Sequence, residues 1–187
     1  MFDSPAAYSQ PNAFRQCITE TIGNTPLVRL NRLPEMQGAR ATVLAKLEYF
    51  NPAGSIKDRA ALSMLEDLLR QHNGNVRHII EATSGNSGVA CAWLGAVYDI
   101  PVTIVMPEHM SSERQLMVRH YGANLITTPR RDGMPGAIAH AHNLLNDIKG
   151  AVSMDQFANP ANAAAHQNTT AREVWQQTNG HIDALVA

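Results

Sequence analysis

The residue of this sequence best placed for covalent chemistry is a lysine that follows a turn and opens a helical pattern. Residues 51–59 read NPAGSIKDR, in which Ser55 is a natural N-cap and Lys57 falls in the first helical turn. The positive end of a helix disfavours an ammonium group, so Lys57 is expected to act as a free amine that adds to carbonyl compounds. The other two lysines, Lys46 and Lys149, lie in a predicted strand and at a helix end that a cation complements. Lys57 is therefore the predicted catalytic residue, although most lysines in such a position are simply solvated.

A second polar segment directly follows a predicted buried strand. It comprises residues 83–88 and reads TSGNSG. Small side chains let the backbone approach a ligand closely, and the N–H groups at the start of the next helix attract an anion. The segment is therefore predicted to bind a carboxylate or a phosphate. Taken alone, a plain strand-to-helix turn explains it at least as well.

A third segment, residues 155–162 (DQFANPAN), also follows an apolar stretch. The side-chain amide of Gln156 could bind a carboxylate, but taken alone the segment is more typical of a turn punctuated by Asn-Pro. The histidines do not suggest a metal site. His140 and His142 form the one close pair, and their spacing places them on different faces of a helix.

The elements that must position these residues alternate along the chain between short apolar runs and stretches with helical spacing. The predicted strands are residues 43–47, 78–82, 102–106, 124–127 and 182–186, and the predicted helices are residues 56–71, 86–98, 111–121, 133–148 and 162–177. Such alternation with short joints predicts parallel βαβ units. Right-handed crossovers then give an α/β fold with a three-layer open parallel sheet and helices on both faces. Ligands of such sheets bind beyond the carboxyl ends of the strands, which is where the polar segments lie.

Composition and charge exclude several classes of partner. The formal net charge is −1, 44% of the residues are hydrophobic, and the densest basic cluster is the pair Arg130-Arg131. These values argue against nucleic acid and against an anionic membrane surface, and they favour a small-molecule substrate. The two cysteines make no disulfide framework, and the sequence shows neither an apolar leader nor an apolar run of about 18 residues. We therefore expect a cytoplasmic protein.

Together these segments resemble the cysteine synthase (O-acetylserine sulfhydrylase) family of fold-type II pyridoxal-phosphate enzymes, whose fold is that of the tryptophan synthase β chain. The matching segments occur in family order, and they are residues 21–28 (TIGNTPLV), 51–59, 83–88, 106–107 (MP) and 155–160 (DQFANP). Within the family, two further segments look closer to the cysteine synthase B branch. They are residues 57–64 (KDRAALSM) and 173–178 (EVWQQT).

The resemblance implies a role for each matching residue. Lys57 would hold pyridoxal 5'-phosphate through a Schiff base and later move the substrate α-proton, while Asn86 would hydrogen-bond the 3′-oxygen of the cofactor. The implied binding residues for the substrate α-carboxylate are Thr83, Ser84, Gly85, Ser87 and Gln156. Serine at position 87 stands where threonine is common, and the hydroxyl is kept. The implied reaction eliminates acetate from O-acetylserine and adds sulfide, or thiosulfate in the B branch, to give L-cysteine.

The resemblance also implies an organisation and partners. Residues 1–42 would be an N-terminal arm and a strand of a larger domain, residues 43–155 a small α/β domain, and residues 156–187 the start of that larger domain, which is left incomplete. Family members continue past this point into a Gly/Thr-rich loop that binds the cofactor phosphate. We therefore expect a C-terminally truncated chain that holds the cofactor weakly. A homodimer is expected, with serine acetyltransferase as a further partner.

Two alternatives stay open at this point. Cystathionine β-synthase and serine/threonine dehydratase use the same scaffold, and residues beyond position 187 usually decide between them. A truncated protein kept for binding rather than for catalysis is the alternative from a different class.

Overall fold

The N-terminal part of the chain forms a small sheet of its own in the structure, which is a computed structural model that describes residues 14–187. Strand β1 (Leu27–Leu30), helix α1 (Arg32–Met36) and strand β2 (Val43–Lys46) follow a 3-10 helix at Ile18–Thr21. β1 and β2 pair antiparallel, from Leu27 opposite Lys46 to Leu30 opposite Val43. The prediction that residues 43–47 open the parallel sheet is therefore wrong. The connection, residues 31–42, contains only the five-residue helix α1, and after it the chain returns beside β1 in the opposite direction. The first 13 residues of the predicted N-terminal arm lie outside the described residues.

The central sheet has four strands, all parallel, in the order β5-β4-β3-β6. Its elements in chain order are α2 (Lys57–Gln71), β3 (His78–Ala82), α3 (Asn86–Tyr98), β4 (Val102–Pro107), α4 (Ser112–His120), β5 (Asn124–Thr128), α5 (Gly133–Asp147) and β6 (Ala151–Val152). The predicted α/β fold class is confirmed, and the predicted bounds of β3 and α3 agree with the structure. β6 was missed because two residues carry no readable periodicity.

The two faces of this sheet bury separate apolar cores. Ile79 and Ile104 face a core that α2, α3 and α4 cover, whereas Ile80 and Val105 face a smaller core that α5 covers. All four side chains are fully buried. Neighbouring strand residues point to opposite faces, so a strand covered on both sides is apolar throughout. The three-layer arrangement of the prediction is thus present, with a helix layer on each face.

The last helical stretch is interrupted. Residues 162–177 were predicted as one helix, but the structure has α6 (Pro160–Ala165), a π-helical turn at His166–Thr170 and α7 (Ala171–Gln177). α6 begins earlier than predicted because the Asn159 side chain accepts a hydrogen bond from the N–H of Ala161 (2.9 Å) and Pro160 occupies the first turn. None of the helices within residues 14–187 is both long enough and apolar enough to cross a bilayer.

The predicted strand at residues 182–186 is not present in the structure. This segment has no regular secondary structure, and its apolar side chains are exposed, with Leu185 at 76% and Val186 at 95%. An apolar run becomes a strand only when a neighbouring strand completes its backbone hydrogen bonds. Among the described residues no strand pairs with it.

Candidate active site

The polar segments that follow β3 and β6 meet at the point where the strand order of the sheet reverses. From β3 the chain advances through β4 to β5, and α5 then returns it on the other face to β6, on the opposite side of β3. The crevice between the carboxyl ends of β3 and β6 is the usual ligand site of an open α/β sheet. Residues 83–88 follow β3 and residues 153–156 follow β6, so both segments border this crevice.

A small pocket lies in the crevice, and Lys57 is on its wall. The other lining residues are Ala60, Ala61, Met64, Glu81, Ser87, Met154, Gln156 and Asn162. Lys57 is the first residue of α2, and its backbone N–H donates to the Ser55 hydroxyl at 3.1 Å, which satisfies one of the free N–H groups of the helix start. Within residues 14–187 the half-buried Lys57 amine makes no hydrogen bond and no ion pair. The helix start therefore presents a free amine to the pocket.

A short hydrogen bond joins the two polar segments across the pocket. The Ser87 hydroxyl donates to Oε1 of Gln156 at 2.6 Å, and Nδ2 of Asn162 donates to the backbone oxygen of Gln156 at 2.7 Å. Because Oε1 of Gln156 is the acceptor, its Nε2 keeps both N–H groups available. Nε2 is therefore free to donate to a carboxylate ligand.

The other predicted binding residues form the rim of the crevice and do not line the pocket. Thr83 is buried, and its hydroxyl oxygen accepts the N–H of Gly85 at 3.2 Å. Ser84 and Asn86 are exposed, and Oδ1 of Asn86 accepts a hydrogen bond from Nε of Arg114 at 3.4 Å. The structure thus brings Lys57, Ser87 and Gln156 to one pocket and places residues 83–86 beside it.

Gly88 explains how the loop can turn directly into α3. A Cβ atom at this position would lie 2.6 Å from Cγ2 of Thr83 and 3.3 Å from Cγ2 of Ile104. The first distance is shorter than real Cβ contacts allow, so any side chain here would push the start of α3 away from the sheet. The glycine keeps residues 83–87 close to the ends of the strands.

Glu81 is a residue of the pocket that was not singled out from the sequence. It is 5% exposed, and its Oε2 accepts hydrogen bonds from the Ser153 hydroxyl (2.7 Å) and the backbone N–H groups of Met154 (3.0 Å) and Asp155 (3.3 Å). Burial raises the pKa of Glu81 in spite of these hydrogen bonds, which favour the ionised form. A lone acidic residue in the apolar run of β3 was the signal that could have identified it.

Asp58 holds the turn in front of Lys57. Its side chain is fully buried, and Oδ2 accepts the backbone N–H of Ala53 at 2.6 Å. Oδ1 has no hydrogen-bond partner within the described part of the chain. Burial raises the pKa of Asp58 to about 6, and the hydrogen bond from Ala53 opposes this shift. A buried carboxyl with one unpaired oxygen is destabilising, so holding this turn in place reduces the stability of the folded protein.

Arg59 is the centre of an ionic cluster behind the pocket, which we call the arginine cluster and define as Arg59, Glu48, Glu173 and Lys46. Nε and Nη2 of Arg59 donate to the two oxygens of Glu48 (2.8 and 2.9 Å), and Nη1 and Nη2 donate to those of Glu173 (2.5 and 2.8 Å). Nζ of Lys46 is 2.7 Å from Glu173. Burial favours the neutral acid, but the hydrogen bonds from Arg59 and Lys46 outweigh it and lower the pKa of Glu173 to about 2. The cluster joins β2, α2 and α7.

Comparisons with known proteins agree on one family. A protein-family profile described as "Pyridoxal-phosphate dependent enzyme" matches residues 18–187. The chain is 43% identical over 178 residues to a cysteine synthase of Aquifex aeolicus, across 92% of this chain and 54% of that protein. It is 44% identical over 173 residues to cysteine synthase B of Escherichia coli, across 91% of this chain and 55% of that protein.

The fold has close counterparts among solved structures. The crystal structure of cysteine synthase (OASS) from Entamoeba histolytica superposes with a TM-score of 0.84 at 38% identity, over 97% of this chain and 54% of that one. A hydrogen sulfide-producing enzyme from Fusobacterium nucleatum superposes with a TM-score of 0.85 at 36% identity. The chain spans about half the length of the curated relatives it matches.

Proposed function

Because this chain belongs to the family of pyridoxal-phosphate dependent enzymes, we propose that it serves a β-replacement reaction that makes L-cysteine from O-acetylserine and sulfide, or from thiosulfate in place of sulfide. The observation that carries this proposal is the pocket in which the free Lys57 amine lies near the hydrogen-bonded pair Ser87 and Gln156. The proposal concerns the whole protein, since the chain spans about half of its relatives.

The side chains at the crevice fit pyridoxal 5'-phosphate. Its aldehyde needs a primary amine, and among the side chains that line the pocket Lys57 supplies one. Its 3′-oxygen needs a hydrogen-bond donor, and Nδ2 of Asn86 is available because Oδ1 faces Arg114. When bound, the cofactor supplies an electron sink for the negative charge that develops at the substrate α-carbon.

The rim of the crevice suits the substrate carboxylate. The start of α3 directs backbone N–H groups outward, and Thr83, Ser84 and Ser87 supply hydroxyls in the sequence around this helix end. Nε2 of Gln156 adds a donor from the opposite side of the pocket. We assign these residues to the α-carboxylate, whose charge complements the positive helix end.

Lys57 is then the group that moves the proton. Its amine takes the proton from the substrate α-carbon, and acetate leaves from the β-carbon. Sulfide adds to the β-carbon, and the protonated Lys57 returns its proton to the α-carbon. The net change replaces acetate by a thiol, so that O-acetylserine and hydrogen sulfide become cysteine and acetic acid.

Product analysis of the purified protein with its cofactor tests this proposal. O-acetylserine and sulfide should yield L-cysteine, and borohydride reduction followed by peptide mapping should label Lys57. Labelling at Lys46 or Lys149 would reject the assignment of the lysine. Deamination of serine or threonine with no turnover of O-acetylserine would favour the dehydratase alternative.

Several expectations that follow from the family resemblance are part of the same proposal. They are a homodimer, a cytoplasmic location, serine acetyltransferase as a partner, and a division of the chain at residues 43 and 156 into parts of two domains. Light scattering of the full protein and co-purification with serine acetyltransferase test the first and third of these.

A further inference from the structure

The pairing of β3 with β6 ends before either strand reaches the crevice. His78 pairs with Ala151 and Ile79 pairs with Val152, and no further ladder pair follows. On the other side of β3, pairing with β4 continues to Ala82. The sheet therefore opens on one side of β3 only, which is the side where the pocket lies.

Where the backbone pairing of β3 with β6 stops, the side chain of Glu81 forms the next hydrogen bonds between the two segments. Continued register would place Met154 opposite Glu81, but the N–H groups of Met154 and Asp155 donate to the Glu81 carboxylate at 3.0 and 3.3 Å. The Ser153 hydroxyl donates to the same oxygen at 2.7 Å. A carboxylate on a side chain reaches farther than a backbone carbonyl, so it can bind residues 153–155 where the two backbones no longer pair.

Residues 153–155, which Glu81 binds and which we call the held segment, have an unusual backbone conformation just before Gln156. Asp155 has a φ of 48°, a region that residues other than glycine seldom adopt. This turn leads directly to Gln156, whose side chain then meets Ser87 at 2.6 Å. The hydrogen bonds to Glu81 thus fix the backbone on one side of the turn, and the contact with Ser87 fixes it on the other.

We infer that Glu81 is a positioning residue of the site, whose carboxylate replaces the β3–β6 ladder, keeps the crevice open and fixes Gln156 for carboxylate binding. The identity of the bound carboxylate rests on the proposed function, whereas the placement of Gln156 does not. Glu81 acts through the backbone of residues 153–155 and is not itself assigned a contact with substrate.

The ionised form of Glu81 is the one that accepts all three hydrogen bonds. Burial raises the pKa of this carboxyl, so protonation begins nearer to neutral pH than for an exposed glutamate. The titratable groups around it are Lys57 from α2, the buried Cys91 from α3, and Asp155 on the held segment. Its partner in β4 is Ile104, which does not titrate. Acidification should therefore loosen the segment as Glu81 takes up a proton.

Hydrogen–deuterium exchange in the cofactor-loaded protein, without substrate, tests the placement. Glu81→Gln keeps the volume but removes the charge, and it should lower the protection of residues 153–156 by about tenfold. Glu108→Gln is the matched control, because Oε1 of Glu108 also accepts a backbone N–H, that of Arg130 at 3.0 Å, at an exposed position outside the pocket. The control should leave residues 153–156 unchanged. Equal protection in wild type and Glu81→Gln would overturn the inference.

Kinetics separate a positioning role from direct contact. Glu81→Gln should raise KM for O-acetylserine by about tenfold with little change in kcat, since binding rather than the chemical step is affected. The substrate amine must be unprotonated to react, so this KM should rise in both proteins as the pH is lowered, but more steeply in the wild type than in Glu81→Gln. A raised KM with unchanged exchange would assign Glu81 to direct substrate contact and overturn the positioning role.

Two further outcomes are also decisive. If the wild type does not turn over O-acetylserine, the proposed function fails, and the exchange experiment still tests Glu81. If Glu81→Gln does not fold, the wild type is measured across pH, with exchange corrected for its intrinsic rate. Protection of residues 153–156 should then fall on acidification, and a flat profile would overturn the inference.

Discussion

The start of α2 contributes to two regions that are built in opposite ways, the pocket at Lys57 and the arginine cluster at Arg59. Arg59 lies in the arginine cluster, where its guanidinium donates five hydrogen bonds and its side chain is 1% exposed. Lys57, two residues earlier, faces the pocket, and its amine has no partner within residues 14–187. Asp58 lies between them with one oxygen paired and the other unpaired.

The difference separates charged groups that hold the fold from an amine that is available for chemistry. Bidentate hydrogen bonds to two carboxylates give Arg59 one geometry, and they join β2, α2 and α7 behind the pocket. An unpaired amine contributes little to stability but can still react. Substitutions in the arginine cluster should therefore affect folding, and substitutions at Lys57 should affect activity alone.

Lys57→Ala should have the largest effect on activity and almost none on stability. On the proposed function, loss of the amine would remove both the covalent link to the cofactor and the proton transfer, so cysteine formation should fall by about a thousandfold or more. The melting temperature of the protein without cofactor should stay close to that of the wild type. Lys149→Ala, at an exposed helix end, is the matched control and should keep full activity. A large loss of stability in Lys57→Ala would contradict the contrast between the two regions.

Glu173→Gln should have the largest effect on stability. It leaves Arg59 buried with one of its two carboxylates missing, and breaking a buried ion pair in this way costs about 3–5 kcal/mol. Urea denaturation measures the free energy of unfolding. Arg70→Gln is the control, since Arg70 is 75% exposed in its pair with Asp67 and such pairs contribute less than about 1 kcal/mol. Equal losses of unfolding free energy in the two variants would show that the arginine cluster does not stabilise the fold.

Asp58 should make stability depend on pH in the direction opposite to that of Glu173. Its pKa is raised from 3.8 to about 6 by burial, so the folded state binds this proton more tightly than the unfolded state does. The stabilisation is present below about pH 4 and is lost as the pH rises through 6, a change of about 3 kcal/mol at 1.36 kcal/mol per pH unit. Glu173, with its lowered pKa, instead loses stabilisation as the pH falls from 4.5 toward 2.

Denaturation of wild type and Asp58→Asn across pH measures this contribution. Asparagine keeps an oxygen for the N–H of Ala53 and cannot ionise, so the difference in unfolding free energy should shift in favour of Asp58→Asn as the pH rises from 4 to 7. A difference that does not vary with pH would mean that Asp58 keeps an ordinary pKa in the folded protein.

Ser87→Ala should have the smallest effect of the set. It removes the hydrogen bond to Gln156 while leaving Lys57 untouched, and one such bond is worth about 1 kcal/mol, or roughly fivefold in KM for O-acetylserine. Ser87→Thr keeps the hydroxyl and should behave like the wild type. Steady-state kinetics of both variants decide whether the hydroxyl matters, because identical KM values for alanine and threonine would show that it does not.

The sequence by itself determined the features that depend on neighbouring residues. β3 and α3 were predicted with the bounds that the structure has, because an apolar run and a Gly/Ser turn are local signals. The start of the helix was predicted to within one residue, since the turn precedes it directly; the N-cap is Ile56 rather than the predicted Ser55, whose hydroxyl still accepts the N–H of Lys57. The family resemblance added roles for these residues, and the roles at the pocket stay predictions.

Only the tertiary structure decided which distant residues meet. Glu173 reaches Arg59 across 114 positions of the chain, and β2 pairs with β1 rather than with the central sheet. The segment at residues 182–186 has the composition of a strand and is not one, because no described strand lies beside it. Glu81 is the clearest case: its side chain stands where a backbone ladder would have continued. Local patterns specify turns and periodicity, but pairing and burial depend on what the fold brings close, and that determines which charges are held and which remain free to react.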